Sequence, residues 1–345
     1  MLYVGVDVHQ QSFQVCMLDE NGKVVKELKI RGGLTALLEA LRHAGHPLAV
    51  CFEASCGYGH LHDHLAGIAQ RVVVAHPGQL RLIFQSKHKN DRVDARKLAL
   101  LLMLDQIPPV HVPTLDTREW RGLIEFRTRQ VNDRTQAKNR LRALFRHNGI
   151  ALPSGKRLWT KKALADLSAR ELPTSMGNLR RDLALDQVRR LSEQIHRVEK
   201  ELTAIAERHP GVVLLQSIPG VGPRTAEAVV AYIDQPRRFR RNKCVGRYFG
   251  LVPTQDQSAE RNRLGHITKE GPRTVRRLLT EAAWQGVRRS EHLKAFFERI
   301  CGDDPQRKRI ALIATAHYLV RIMLSMLKSQ ELWRHDAKTA TTVAA

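Results

Sequence analysis

The sequence predicts an α/β domain at the N-terminus, followed by a mainly α-helical C-terminal part. Three observations predict this division. Short apolar runs of strand length alternate with helical stripes over the first hundred residues. A stiff, proline-rich segment at 107–113 then interrupts the pattern. Beyond it, long polar stretches with helical periodicity dominate.

Eight elements can be assigned in the first part. The second and third strands flank Asp-Glu-Asn-Gly, and Asn-Gly strongly favours a hairpin turn. In chain order the elements are strands at 2–8, 13–18 and 23–30, a helix at 34–43, a strand at 48–52, a helix at 61–69, a strand at 71–75 and a helix at 91–104. Three antiparallel strands followed by helix–strand alternation is the order of the ribonuclease H-like (RuvC-like) fold. We therefore predict that fold for residues 1–110.

The following region is predicted to contain two long helices, at 117–148 and 178–208, with a looser stretch at 152–174 between them. Apolar residues in the second helix have close to heptad spacing, which favours coiled-coil-like pairing within one chain or between chains. A plain antiparallel hairpin of the two helices fits the same pattern. The sequence thus predicts a linker region of coiled-coil-like helices at 111–209 and a further domain at 210–335.

The charge is distributed unevenly along the 345 residues. Lys and Arg number 57 and Asp and Glu 34, a net charge of +23. Residues 1–110 hold 12 basic and 10 acidic side chains, and the remainder holds 45 and 24. A nearly neutral head joined to a strongly basic body is typical of a protein whose body binds a polyanion, and nucleic acid is the natural candidate.

Cysteine usage and hydropathy indicate the compartment. The five cysteines are scattered without a C-x-x-C pair, which argues against disulfide scaffolds and zinc ribbons and fits a reducing cytosol. No basic region precedes the first apolar run, so we expect no signal peptide. The apolar tract at 311–327 is interrupted by His317 and Arg321 and predicts a buried core helix and no membrane span.

Four carboxylates are predicted to converge in the first domain. Asp7 and Glu53 each end an apolar strand, and those strands are neighbours in a ribonuclease H-like sheet. Asp91 and Asp94 lie three residues apart on one helical face. Converging carboxylates need a divalent cation, and oxygen ligands suit Mg²⁺ or Mn²⁺, the ions of phosphoryl transfer. The alternative is structural: Asp91 as a helix N-cap and Asp94 as a first-turn acid.

The segment Ile-Pro-Gly-Val-Gly-Pro-Arg-Thr-Ala at 218–226 matches a helix-hairpin-helix. Its glycines permit a tight turn with exposed N–H groups, and a proline begins the second helix, whose N-terminus would face a phosphate. Such a hairpin contacts the phosphate backbone of a nucleic acid and does not contact the base edges. The candidate contacts are Gly220, Gly222, Arg224 and Thr225. The alternative is an ordinary packing corner between two helices.

A polar loop is predicted at 250–271, with Ser258 in its middle and Arg261, Arg263 and Lys269 nearby. The guanidinium groups could hold a scissile phosphate and stabilise charge on a pentacoordinate phosphorus. From composition alone, Ser258 is an ordinary loop serine.

Taken together, these pieces resemble the transposases of insertion-sequence family 110, relatives of the Piv-type DNA invertases. The resemblance rests on Val-Gly-Val-Asp at 4–7, Phe-Glu at 52–53, Asp-Arg-Val-Asp-Ala-Arg-Lys-Leu-Ala at 91–99, the 218–222 turn and the 250–271 block. It covers about residues 1–105 and 210–330. It implies a metal-binding DEDD tetrad of Asp7, Glu53, Asp91 and Asp94. It also implies Ser258 as nucleophile, although Ala259 replaces the family's usual glycine.

The resemblance further implies a site-specific DNA recombinase that moves its own element, forms a phosphoserine link to DNA and uses a non-coding bridge RNA. Partners would be donor and target DNA, the RNA and a second copy of the chain, in a dimer or tetramer. The enzymatic alternative is a RuvC-like structure-specific nuclease in which water attacks. The third hypothesis is a non-catalytic scaffold that binds nucleic acid. The presence of all four tetrad carboxylates argues against it.

Overall fold

A computed structural model describes residues 1–83, 90–258 and 261–334. The chain forms two compact units, Met1–Leu115 (the N-terminal unit) and Asp116–Ala345 (the helical unit). The boundary between the units follows the proline-rich segment at 107–113. The further division of the second part near residue 209 stays a prediction.

The N-terminal unit is an α/β domain. Its elements in chain order are β1 (Leu2–Val8), β2 (Ser12–Leu18), β3 (Val24–Arg31), α1 (Gly33–Arg42), β4 (Leu48–Glu53), α2 (Tyr58–Ala66), β5 (Arg71–Ala75), α3 (Pro77–Ile83) and α4 (Asp91–Met103). Helix α3 was not predicted. The five strands form one mixed sheet in the order β3-β2-β1-β4-β5. The pairs β1–β2 and β2–β3 are antiparallel, and β1–β4 and β4–β5 are parallel. This α/β arrangement is compatible with the predicted ribonuclease H-like fold.

The two faces of the sheet carry different helices. Because side chains alternate along a strand, Val4 and Val6 of β1 point to one face, where they pack in a core with residues of α1 and α2 such as Leu37 and Leu65. Residues of odd number in β1 and β4 point to the other face, where Cys51 packs with residues of α4. Asp7 and Glu53, the carboxylates predicted at the ends of these strands, also have odd numbers, so they share the face covered by α4.

Gly5 allows α4 to approach β1 closely. A Cβ atom built on Gly5 would lie 2.0 Å from the Ala95 carbonyl oxygen and 2.6 Å from the Ala99 backbone nitrogen. No side chain larger than hydrogen fits between this strand and this helix. The contact fixes the position of the first turn of α4 relative to the end of β1. Asp7 lies at that end, two residues after Gly5.

We expect Gly5→Ala to destabilise the protein by about 3 kcal/mol, because backbone atoms of α4 would have to move to admit one methyl group. The urea midpoint of unfolding measures the effect. Gly67→Ala is the matched control in the same unit, since its added Cβ lies 3.5 Å from the nearest atom, the His64 carbonyl oxygen, at an ordinary contact distance. Equal midpoints for the two variants would contradict the packing argument.

The helical unit contains most of the remaining chain. Its elements are α5 (Leu115–His147), α6 (Lys161–Ala169), α7 (Ser175–Arg208), α8 (Pro210–Gln216), α9 (Pro223–Ile233), α10 (Cys244–Tyr248), β6 (Pro253–Ser258), β7 (Arg261–Ile267), α11 (Arg273–Arg289), α12 (Glu291–Cys301) and α13 (Lys308–Ser329). The region 152–174 is more regular than predicted, because α6 lies within it. The predicted polar loop at 250–271 is wrong in form: it contains an antiparallel hairpin, β6–β7.

Helices α5 and α7 pack antiparallel to each other within the chain. Arg127 of α5 binds Glu199 near the end of α7 at 2.9 Å, whereas Phe145 near the end of α5 shares a core with Leu185 near the start of α7. Within one chain, the two helices therefore form the plain antiparallel hairpin that was one of the two predicted arrangements. Leu183, at which the near-heptad spacing was predicted to begin, is instead 59% exposed, and Leu179 before it is 60% exposed.

Helix α13 lies in the main core of the helical unit. Leu319, Val320 and Leu324 are fully buried there, as predicted for a core helix. Among the described residues, the segment Pro305–Ser329 is the one helix with the length and apolar composition that could cross a membrane, and half of its apolar window is buried inside the protein.

Candidate functional site

The sheet register places two of the predicted carboxylates side by side. Val6 of β1 pairs with Phe52 of the parallel strand β4, so Asp7 and Glu53 come next on the two strands. Both are at the carboxyl ends of their strands and on the face that α4 covers. In parallel sheets the carboxyl ends of strands commonly form the functional edge.

The first turn of α4 carries the two further predicted carboxylates. The side chain of Asn90 accepts a hydrogen bond from the Arg92 backbone N–H at 3.1 Å, which makes Asn90 the N-cap. The alternative that Asp91 caps the helix is therefore wrong, and Asp91 and Asp94 are both acids of the first turn. Because Asn90 does the capping, the Asp91 carboxylate is available for other contacts.

Asp7, Asp91 and His9 form a compact group. One ligand atom from each residue lies within 4.8 Å of the other two. His9 Nε2 is 3.1 Å from Asp7 Oδ2 and 3.1 Å from Asp91 Oδ2. The group is partly open to solvent, since the side chains of Asp7, His9 and Asp91 are 20%, 36% and 46% exposed. A carboxylate oxygen, an imidazole nitrogen and a second carboxylate oxygen at these distances could hold a metal ion.

The other two predicted tetrad members lie outside this compact group. Asp94 Oδ1 is 3.7 Å from Lys97 Nζ, one turn further along α4. Glu53 is exposed at the end of β4, beside Asp7 in register. The structure thus brings Asp7 and Asp91 together directly, while Glu53 follows the strand beside that of Asp7 and Asp94 follows Asp91 in the first turn of α4.

His9 is the site residue that sequence reasoning missed. It follows β1 and its backbone N–H donates to the Ser12 carbonyl at 3.0 Å, which closes the turn into β2. A histidine two residues after the strand-ending Asp7 was visible in the sequence. What could not be seen is that the turn directs its ring back over the edge of the sheet, towards Asp91.

Ser258 is the last described residue of β6. It is exposed and pairs with Arg261, and Asp256 pairs with Arg263. Since directly paired residues share a face of a hairpin, the serine and both predicted arginines lie on the same face. The opposite face carries an amide cluster in which Gln255 Nε2 donates to Asn262 Oδ1 at 3.0 Å. Ala259, which departs from the family pattern, lies outside the described residues.

The base of the β6–β7 hairpin is anchored to the helical unit. Gly250 has φ 64°, and an added Cβ would lie 2.3 Å from the Glu270 carbonyl oxygen. Arg276 of α11 donates to the carbonyls of Phe249 and Glu270 at 3.0 and 2.8 Å. Lys269, exposed and with φ 57°, lies at this base and not beside Ser258.

The predicted helix-hairpin-helix segment forms two helices, α8 and α9, joined by a tight turn. Gly220 has φ 90°, and an added Cβ would lie 2.5 Å from the Gly286 backbone nitrogen of α11, so this glycine serves packing. Gly222 is exposed with no neighbouring atom within 4 Å of a Cβ. Thr225 is buried, and Arg224 binds Glu227 at 3.1 Å and Thr203 at 2.7 Å.

Burial raises the pKa of Glu227 to about 7, although Arg224 and Arg127 oppose the rise. Because the folded-state pKa exceeds the ordinary value of 4.5, the folded protein holds more protons between these values, and stability falls as pH rises from about 4.5 to 7. We expect Glu227→Gln to remove this part of the pH dependence, which amounts to at most about 3 kcal/mol. Urea unfolding at pH 5 and pH 8 measures it. An unchanged difference between the two pH values would contradict the assignment, and the exposed Glu201→Gln is the control.

A long basic segment without acids spans the C-terminal half of α5 and the start of α6. Residues 134–165 contain nine Lys or Arg and no Asp or Glu. Four of the cations, Arg134, Lys138, Arg142 and Arg146, follow at i, i+4 spacing along one ridge of α5. Burial and then the neighbouring Arg134 and Arg142 lower the pKa of Lys138. Such like-charge repulsion is relieved when a polyanion binds.

Comparisons with known proteins agree with this architecture. A family model described as a DEDD transposase of IS110 type matches residues 4–148, and one described as the transposase IS116/IS110/IS902 family matches residues 212–298. The chain is 29% identical to the transposase for insertion sequence element IS1111A of Coxiella burnetii, over 97% of this chain and 92% of that relative. It is 27% identical to a probable family 20 transposase of Pseudomonas aeruginosa, over 96% and 98% of the two chains.

The matching family models and the relatives show a DEDD-type DNA transposase, and a mixed sheet followed in the chain by a helical part is compatible with that class. The two family models together match well over half of the sequence. The chain belongs to the IS110 family of insertion-sequence transposases.

Proposed function

We propose that this transposase moves its insertion sequence by site-specific recombination, with a metal-binding tetrad in the N-terminal unit and Ser258 as nucleophile. The observation that carries the proposal is the meeting of Asp7 and Asp91 at the edge of the sheet. Two carboxylates this close would repel each other in the absence of a cation. Placed beside Glu53 and Asp94, they have the donor set of a phosphoryl-transfer centre.

In this proposal Asp7, Glu53, Asp91 and Asp94 hold Mg²⁺ or Mn²⁺. The carboxylate-rich edge fits such an ion because hard divalent cations take oxygen ligands and retain several waters, and this edge is partly open to solvent. When bound, the ion supplies charge stabilisation for a phosphate and for the oxygens that enter and leave. The protein's part is to keep the carboxylates in place through the β1 and β4 strand ends and the capped start of α4.

Ser258 attacks the DNA phosphorus through Oγ in the proposed reaction. The serine loses its proton to a general base, a bond forms between Oγ and phosphorus, and the bond from phosphorus to one strand oxygen breaks. That strand leaves with a free hydroxyl, which later attacks the phosphoserine and restores the phosphodiester. Arg261 and Arg263, on the face of Ser258, would hold the phosphate and stabilise its added negative charge.

The nucleic-acid interface is proposed to have three parts. The first is the α8–α9 turn as a helix-hairpin-helix, with Gly220, Gly222, Arg224 and Thr225. The exposed Gly222 at the start of α9 supports this part of the interface. Gly220 and Thr225 are packed inside the protein, so they would keep the turn in shape and would not contact a phosphate themselves. The second part is the hairpin with Arg261, Arg263 and Lys269. The third is the basic ridge of α5, whose positive charge suits DNA or RNA phosphates.

We expect the double substitution Arg134→Gln and Arg146→Gln to weaken binding of all nucleic-acid sequences alike. The slope of log affinity against log salt should fall by about 0.7–0.9 for each phosphate contact that is lost. Titrations over a range of salt concentrations measure this slope. Lys294→Gln is the control, because that lysine lies on α12 within 3.8 Å of Glu291. A loss restricted to one DNA sequence would overturn the backbone-binding role.

Guidance by a non-coding bridge RNA is proposed from the family, with support from the basic ridge. In such a system base pairing supplies the sequence specificity, and the protein binds backbones. A dimer or tetramer is proposed because strand exchange needs at least two active sites. The exposed Leu179 and Leu183 on α7 support a contact between copies. We also propose a cytoplasmic location and a functional division of the second part near residue 209.

The test of the proposed function is a denaturation-resistant protein–DNA adduct. The full chain is incubated with DNA that carries the ends of its element, the bridge RNA and Mg²⁺ or Mn²⁺, and is then denatured and separated by size. The phosphoserine reaction predicts DNA that migrates with the protein and is released by proteolysis. Cleaved DNA without any adduct would favour the structure-specific nuclease, in which water attacks.

A further inference from the structure

The imidazole of His9 lies between the two carboxylates in a way that a hydrogen bond does not explain. His9 Nε2 is 3.1 Å from an oxygen of Asp7 and 3.1 Å from an oxygen of Asp91. Its ring is 36% exposed, yet Nε2 itself is inaccessible to solvent. Among the described residues, this nitrogen has no aligned hydrogen bond. The nitrogen is therefore directed into the space between the carboxylates.

The distances within this group match those between neighbouring ligands of one ion. Metal–ligand bonds of about 2.1 Å place neighbouring octahedral ligands about 3.0 Å apart. The two nitrogen–oxygen distances are 3.1 Å, and all three ligand atoms lie within 4.8 Å of one another. The two nitrogen–oxygen distances thus fit His9 Nε2 as a neighbour of both carboxylate oxygens around one ion.

The backbone fixes all three ligand-bearing residues independently of a metal. Asp7 lies at the end of a central strand. His9 begins the following turn, which is closed by a hydrogen bond from the His9 backbone N–H to the Ser12 carbonyl. Asp91 is held by the Asn90 cap and by the close contact of α4 with Gly5. A preformed arrangement of this kind lowers the conformational cost of binding an ion.

We propose that His9 Nε2 is a direct ligand of the catalytic ion, and that this nitrogen makes the site prefer Mn²⁺ to Mg²⁺. This inference rests on the proposed metal site. Mg²⁺ takes oxygen ligands almost exclusively, whereas imidazole binds transition-metal ions. A set of two carboxylates and one imidazole therefore discriminates against Mg²⁺, and the all-carboxylate tetrad predicted from sequence does not. Asp94, with Lys97 nearby, becomes a neighbour of the ion site instead of its fourth necessary ligand.

The experiment measures metal binding by the full chain, without DNA. Isothermal titration with Mn²⁺ and with Mg²⁺ gives the two affinities, and the electron spin echo of bound Mn²⁺ detects modulation from a coordinated ¹⁴N nucleus. The variants are His9→Asn, Asp7→Asn and, as the matched control, His46→Asn, whose side chain is exposed after α1. Circular dichroism verifies that each variant is folded.

The wild type and His46→Asn should bind Mn²⁺ more tightly than Mg²⁺ and show the nitrogen modulation. His9→Asn should lose the modulation and bind Mn²⁺ more weakly by about tenfold or more, with a smaller change for Mg²⁺. If imidazole merely supplied positive charge between the carboxylates, His9→Asn would leave Mn²⁺ affinity unchanged or raise it, and the inference would fall. Absence of divalent-ion binding by the folded wild type would instead refute the proposed metal site itself.

Discussion

Asp7→Asn will reduce DNA cleavage and strand transfer by about a thousandfold or more, because the loss of metal binding removes several kcal/mol of charge stabilisation. Asparagine has nearly the same shape as aspartate, and Asp7 is partly exposed at a strand end, so the fold should survive. Cleavage of labelled element-end DNA measures activity, and urea unfolding measures stability. Chelation of divalent ions with EDTA should have an effect of similar size.

Two further variants, Asp91→Asn and Asp94→Asn, test the same metal site. Asp91→Asn should match Asp7→Asn, because both carboxylates contact His9 at the same distance. Asp94→Asn should also abolish cleavage if all four members of the predicted tetrad hold the ion, and should act more weakly if His9 takes the place of one of them. Full activity of Asp7→Asn, or of the wild type in EDTA, would refute the metal site.

Ser258→Ala will eliminate the covalent adduct and recombination, since a nucleophile cannot be replaced by a methyl group. Nucleic-acid binding should change by less than about tenfold, because one hydroxyl contributes only about 0.5–1.5 kcal/mol to an interface. Adduct formation and filter binding measure the two effects separately. Gln257→Ala is the matched control: it lies one residue away on the opposite face of the same exposed hairpin.

The nuclease alternative makes the opposite prediction for Ser258. If Ser258→Ala cleaves DNA at the wild-type rate, water is the attacking group and the serine is an ordinary hairpin residue. Mixing Ser258→Ala chains with Asp7→Asn chains adds a second result. Restored recombination in the mixture would mean that the serine and the carboxylates can act from different copies of the chain.

The sequence predicted the N-terminal unit well because its signals are local. Asn-Gly marks the turn between β2 and β3, and uninterrupted apolar runs mark the buried strands, so the order of elements along the chain could be predicted. The ribonuclease H-like fold assigned from that order then placed Asp7 and Glu53 on neighbouring strands, as the register shows. The start of α4 was also correct, although the capping residue is Asn90. The predicted tetrad itself stays a prediction, since only Asp7 and Asp91 lie in direct reach of one ligand set.

Other features depend on contacts that no local pattern reveals. The β6–β7 strands are exposed on both faces, so they lack the apolar alternation that identifies a strand, and the segment looked like a loop. His9 is directed towards Asp91 by a turn and by a helix that begins some eighty residues later. Gly220 seemed suited to phosphate contact, but its missing side chain accommodates α11.

Between Trp120 and Arg142, α5 is about as long as one turn of duplex DNA. The helix has 33 residues, and from Trp120 in the main core to Arg142 on the basic ridge the axis advances about 33 Å, at 1.5 Å per residue. One turn of duplex DNA is about 34–36 Å. A duplex lying parallel to α5 would therefore complete about one turn between the level of Trp120, which is buried in the core, and the level of Arg142 on the basic ridge.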